Sequence, residues 1–307
     1  MPKDKYGRNH QFLKRKELLT FEEIEEIARA FVQLGVVKIR LTGGEPLVRN
    51  DLELLIRHLK QIEGLQDLSL TTNASLLSAK RAASLRDAGI GRINISLDAL
   101  DAKTFGQLNG VGYPVEDVLS GVENACQAGF EQIKVNMVVQ SGKNEASILP
   151  MLEYFTGKDV VLRFIEYMDV GNTNDWQHKD VFTAQQIKRL IETRYRIEAL
   201  DANYRGEVAQ RWKLSGMPME FGIISSVSEP FCGECSRARL SAIGEVYTCL
   251  FANSGFDLRG LLRAPDTGVS LYQSIKRLWS ERDDRYSEVR SHQDSTRQKV
   301  EMSYIGG

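Results

Sequence analysis

Three of the four cysteines fall into one pattern, Cys232-x2-Cys235-x13-Cys249, while Cys126 stands apart. A C-x2-C pair with a third cysteine soon after signals metal ligation or redox work, and four cysteines in 307 residues are too few for a disulfide framework. Three thiolates suit an iron-sulfur cluster or a zinc ion. A closed zinc site needs a fourth Cys or His, and none of His10, His58, His178 or His292 lies within motif spacing. A [4Fe-4S] cluster with one open iron is therefore the sharper reading. The plain alternative is three ordinary buried cysteines, since free Cys is among the most buried residue types. Arg237 and Arg239 follow Cys235 closely, so a ligand at the open corner would meet two permanently charged guanidinium forks, which favours a phosphorylated molecule. An R-x-R pair without such a neighbour more often faces solvent.

Other candidate groups sit where strands should end. Thr42-Gly43-Gly44-Glu45-Pro46 follows a strand, and its paired glycines let backbone approach a ligand closely; alone it reads as a tight turn. Thr71-Thr72-Asn73 and Ser96-Leu97-Asp98 end the next two strands with small polar side chains. Lys38, Arg40, Lys134 and Arg163 occupy strand positions where apolar residues are the rule. A charge pointing into a barrel is costly unless an anion meets it, and the bland alternative is a stem packed beneath a helix with its head in water. Met168, near the end of Arg163-Phe164-Ile165-Glu166-Tyr167-Met168-Asp169, would by itself be packing.

The elements that must position these groups alternate. Phe21, Ile24, Ile27, Ala28, Phe31 and Leu34 form a helical stripe closed by Gly35. Val36 to Leu41 reads as a strand, and Asn50 or Asp51 can cap a helix through Leu54, Leu55 and Leu59. Strands over 68–70, 93–97, 133–139 and 160–165 interleave with helices over 79–88, 115–128 and 148–155. This predicts right-handed βαβ crossovers and a parallel sheet, doubly wound or barrel-like, with ligands at the carboxyl ends of the strands. After the helix near 185–195 the rhythm changes, which divides the chain into 1–198 and a smaller module over 199–307. Asp283 to Gln298 reads as a solvated or partner-covered segment.

Composition removes several classes. With 42% hydrophobic and 26% charged residues the chain can bury a sizeable core. Forty basic against 41 acidic residues, formal net charge −1, give no global field for nucleic acid or an anionic membrane. No apolar run approaches the about 20 residues of a membrane helix, and no signal segment opens the sequence, so a cytoplasmic protein is expected.

Taken together, TGGEP after a strand, TTN and SLDA at later strand ends, RFIEYMDVGN, FCGECSRARLS with a downstream cysteine, and a terminal YIGG resemble the GTP 3′,8-cyclases of molybdenum cofactor biosynthesis, within the radical S-adenosylmethionine (SAM) superfamily. The likeness runs from the first residues to the last. It implies an incomplete parallel (βα)6 TIM-like barrel with a C-terminal iron-sulfur and GTP-binding module. It also implies two [4Fe-4S] clusters and conversion of GTP to (8S)-3′,8-cyclo-7,8-dihydroguanosine 5′-triphosphate, through hydrogen abstraction at the ribose 3′ position and closure onto guanine C8. By motif, Gly44, Ser96 and Met168 would contact SAM. Arg40, Thr71, Lys134, Arg237 and Arg239 would contact GTP, with Arg163 a weaker candidate. Cys232, Cys235 and Cys249 would hold the GTP-side cluster, and Gly306-Gly307 would reach back into the site. A homodimer and a functional link to cyclic pyranopterin monophosphate synthase are implied as well.

One departure bears on activity. The family's C-x3-C-x2-C motif ends in a cysteine typically followed by Met-Pro, and this sequence opens with Met1-Pro2. The expectation is a chain lacking the SAM-side ligands, the first barrel strand and an early GTP-contacting arginine, which as written would not make a radical. Cys126, within a helix, cannot replace those ligands. A GTP-binding iron-sulfur protein or fragment without catalysis is the alternative.

Overall fold

The computed structural model describes residues 15–110, 112–171, 176–229, 232–264, 270–289 and 299–305. Thr20 opens the first helix, α1 (Phe21–Gln33), with a capping box: its backbone N–H donates to Glu23 at 2.8 Å, and its hydroxyl accepts from the Glu23 N–H at 3.2 Å. Gly35, at φ 96°, turns the chain into β1 (Lys38–Leu41). There follow α2 (Leu52–Lys60), β2 (Asp67–Thr72), α3 (Ala79–Ala88), β3 (Arg92–Ser96), α4 (Ala102–Asn109), α5 (Val115–Ala128), β4 (Gln132–Val139), α6 (Ile148–Phe155), β5 (Val161–Glu166) and α7 (Ala184–Glu192). Asp51 does take the position before α2, but at φ 56° its side chain makes no capping hydrogen bond. The strand containing Arg163 stops at Glu166, so Met168 lies in the loop beyond it.

β1 to β5 pair in sequence order, all parallel, as right-handed crossovers through helices require. β6 (Ile197–Leu200), β7 (Gln210–Leu214) and β8 (Glu220–Ile224) extend the same eight-stranded sheet: β8 pairs parallel with β5, and β7 and β6 follow antiparallel. The boundary read between residues 198 and 199 thus falls inside β6. Beyond it, β9 (Arg239–Leu240), β10 (Glu245–Tyr247) and β11 (Phe256–Asp257) form a small antiparallel sheet, followed by α8 (Leu258–Arg263), α9 (Leu271–Ser280), α10 (Tyr286–Val289) and α11 (Met302–Ile305).

Helices cover one face of the large sheet. Ile39 and Leu41 on β1, Leu68 and Leu70 on β2, Ile93 and Ile95 on β3, Val135 and Met137 on β4, and Leu162 and Phe164 on β5 join the main core with the helical residues Leu55, Leu85, Val122 and Leu152. A second core, of Leu19, Ile27, Ala30, Val246, Leu258 and Ile275, binds the small sheet and α8–α9 to the far side of α1. Ala28 of the same helix belongs to the main core, so α1 carries the C-terminal module on the barrel. Arg263 strengthens that seam through Glu23 at 2.6 and 2.9 Å.

Candidate active site

The opposite face of the sheet is polar. Because side chains alternate along each strand and registered neighbours share a face, the pairings alone group these residues. Arg40, Ser69 and Arg92 follow one another across β1, β2 and β3; Thr71, Asn94 and Lys134 across β2, β3 and β4; Ser96, Asn136 and Arg163 across β3, β4 and β5. A parallel sheet covered on both sides would be apolar on both. This one keeps an inner wall of amides, hydroxyls and cations, which answers the question left open by Lys134 and Arg163: they face away from the helices.

The cations on this face also act on one another. Arg40 on β1 and Arg163 on β5 are four strand spacings apart, roughly 19 Å in a flat sheet. Burial and then the Arg40 charge depress the Arg163 pKa, to about 10, so the two long side chains feel one another on the same face of the sheet. Burial, then Arg163 and Arg92, draw Lys134 down to about 7. Arg40 is solvent-accessible in this open cleft; its pKa too is lowered, by burial and then by Arg92 and Arg237. Arg92, which the sequence reading passed over, is paired with Asp67, its Nε 2.9 Å from Oδ1. Two wall atoms, Thr71 Oγ1 and Asn136 Oδ1, are buried with no hydrogen-bond partner among the described residues. Orphaned polar atoms beside crowded cations are what a polyanionic, hydrogen-bonding ligand would satisfy.

At the carboxyl ends of the strands the turns are stitched together. Glu45 of the TGGEP turn accepts from the Thr72 hydroxyl and the Asn73 N–H, each at 2.7 Å, so its glycines are held against the end of β2. A side chain added at Gly44 would meet open space rather than protein, so that turn is exposed on its outer side. Ser96 is exposed at the same rim, and Met168 is half-buried just beyond β5. Between them Asp98 accepts from the Val138 N–H at 2.8 Å, and burial pushes its pKa up to about 6.

From the C-terminal module, Arg237 donates to the Cys235 sulfur at 3.4 Å. Burial raises the Cys235 thiol, but Arg237, with help from Arg282, outweighs it and the pKa falls to about 7. Burial raises Cys249, whose neighbours include Cys232 and Arg239. Burial and then Arg237 lower Arg239 to about 10, and its neighbours include both Cys235 and Arg40. The basic pair therefore bridges the thiols and the inner wall. The three thiols are half-buried and free, a donor set whose softness suits iron-sulfur ligation. Among the described residues no three His, Cys, Asp or Glu side chains come together as a group that could hold a metal ion, so the structure does not bring Cys232, Cys235 and Cys249 together as a ligand set. Gly306 and Gly307 lie outside the described residues. Also among the described residues, no helix is long and apolar enough to cross a membrane.

Residues 5–155 match the Radical SAM superfamily, and residues 160–288 match Molybdenum Cofactor Synthesis C. A GTP 3′,8-cyclase of Xanthomonas campestris pv. campestris (strain B100) is 48% identical over 304 residues, covering 99% of this chain and 87% of that protein. One from Staphylococcus saprophyticus is 46% identical over 311 residues, covering 100% and 91%. Among solved structures, Streptococcus suis SuiB bound to S-adenosylmethionine superposes with a TM-score of 0.61 at 15% identity, over 94% of this chain and 64% of that one; this likeness speaks for the fold alone.

Proposed function

This chain belongs to the GTP 3′,8-cyclase family, and from that premise we propose that its cleft takes SAM at the strand-end rim and GTP along the basic wall. The reaction is radical conversion of GTP to (8S)-3′,8-cyclo-7,8-dihydroguanosine 5′-triphosphate, the first step of molybdenum cofactor biosynthesis. The observation that carries this reading is the cation set of Arg40, Lys134, Arg163 and Arg239, whose pKa values burial lowers first and neighbouring cations lower further, a cost that a triphosphate would relieve.

Gly44, Ser96 and Met168 would receive SAM. Arg40, Thr71, Lys134, Arg237 and Arg239 would receive GTP, Thr71 by giving its orphaned hydroxyl a partner. Cys232, Cys235 and Cys249 would hold a [4Fe-4S] cluster beside the base, in a C-terminal module beyond the barrel. When bound, SAM and the family's clusters supply the radical chemistry and an open iron for the base. The chain's own contribution is to fix ribose and base relative to SAM, to neutralise the phosphates and to enclose the reacting atoms. Family likeness supports a cytoplasmic homodimer functionally linked to cyclic pyranopterin monophosphate synthase.

A second reading, a GTP-binding iron-sulfur protein without turnover, rests on the spacing of Cys232, Cys235 and Cys249 alone. Anaerobic reconstitution with iron and sulfide, followed by GTP, SAM and reductant, separates the two. About eight irons per chain with 5′-deoxyadenosine and cyclised nucleotide support catalysis; about four irons with GTP binding alone support the second reading. Failure to bind GTP in either state would sink both.

A further inference from the structure

One carboxylate near the basic wall has no part in the proposed chemistry. Glu207 lies on the loop between β6 and β7, where it lines a small cavity together with Lys134, Arg163, Arg211 and Asn203. Asn203 holds the carboxylate in place, through its backbone N–H at 2.6 Å and its Nδ2 at 3.4 Å. The same loop sets the Tyr204 ring 4.1 Å from the Lys38 ammonium. It therefore reaches both β1 and the β4–β5 pair near their first residues, at the end of the cleft away from Gly44, Ser96 and Met168. The negative charge of Glu207 favours the charged forms of Lys134, Arg163 and Arg211.

We infer that Glu207 is an internal counter-ion that sets how tightly this pole of the cleft holds phosphate. It offsets part of the charge on Lys134 and Arg163 while no anion is bound, and it opposes an arriving polyphosphate through the same proximity. This rests on the reading that the wall receives the phosphates of a nucleotide. Glu207 tunes affinity and has no role in bond making.

Isothermal titration of the full chain with inorganic tripolyphosphate and with GTP, using wild type, Glu207→Gln and Glu207→Asp, tests the inference. Glu207→Gln should tighten tripolyphosphate about three- to tenfold, and Glu207→Asp, which keeps the charge, should stay within about twofold of wild type. Unchanged or weaker binding by Glu207→Gln overturns it. Equal tightening by Glu207→Asp also overturns it, since loop shape rather than charge would then be the cause, and so does absence of tripolyphosphate binding by all three proteins. If tripolyphosphate binding tightens while GTP fails to bind, the counter-ion stands and the nucleotide reading falls. If GTP binds and the Gln variant changes neither ligand, the reverse holds.

Discussion

Glu166 and Ser228, 62 residues apart in the chain, are joined twice: the Ser228 N–H donates to Oε2 at 2.8 Å, and its hydroxyl donates to Oε1. The same carboxylate, 0% exposed, accepts from the Ala184 N–H at 2.7 Å and the Val227 N–H at 2.8 Å. One side chain thus ties the end of β5 to the start of α7 and to the segment that leads into Cys232.

Removing that carboxylate takes the acceptor from four donors: the buried Ala184 N–H, worth about 1 to 3 kcal/mol when unsatisfied, and the part-buried Val227 and Ser228 groups, which water can partly satisfy. Glu166→Ala should therefore lose about 2 kcal/mol or more in urea denaturation, and Glu166→Gln, which keeps some of the acceptors, should lose less. A loss below about 1 kcal/mol for the alanine variant would refute the anchoring role.

Lys134, 9% exposed, is held near pKa 7 by burial and its cationic neighbours, below its ordinary 10.5. Its folded pKa is depressed, so the unfolded chain binds more protons between about pH 7 and 10.5, and this group's contribution to stability should rise with pH across that window. A phosphate bound against it would raise its pKa again, so GTP binding near pH 8 should take up a proton. Calorimetry in buffers of different ionisation enthalpy would show this, and zero uptake would place the phosphates elsewhere.

The Thr71 hydroxyl is buried without a partner among the described residues, so Thr71→Val removes an unsatisfied group rather than a hydrogen bond. Stability should change by less than about 1 kcal/mol or rise, while GTP affinity falls about threefold or more. Thermal melts and titrations on the same preparation read both quantities; unchanged affinity would take Thr71 off the ligand.

Arg239 stands between the thiols and Arg40. If it makes a charge-assisted bond to nucleotide, Arg239→Ala should weaken GTP binding by about 1.5 to 3 kcal/mol. Undiminished affinity would remove it from the site.

The sequence by itself determined the family, the alternation of strands and helices and the local motifs, because these depend on neighbours within a few residues. Val115–Ala128 and Ile148–Phe155 could be placed from their apolar spacing, and Cys232, Cys235, Arg237 and Arg239 declare their proximity by adjacency. Even the polar wall was half-visible, as Arg92, Asn94 and Ser96 alternate with buried isoleucines. Which face those residues turn to the cleft depended on register and on where the helices lie. That Arg40 and Arg163 act on one another depended on the order of the strands and the face they share. Only the tertiary structure brought Glu207 to Lys134 and Ser228 to Glu166, because each pairing closes a loop of more than 60 residues. A chain's periodicity carries no record of contacts at that distance; the cost of closing such loops is met by the packed core around them.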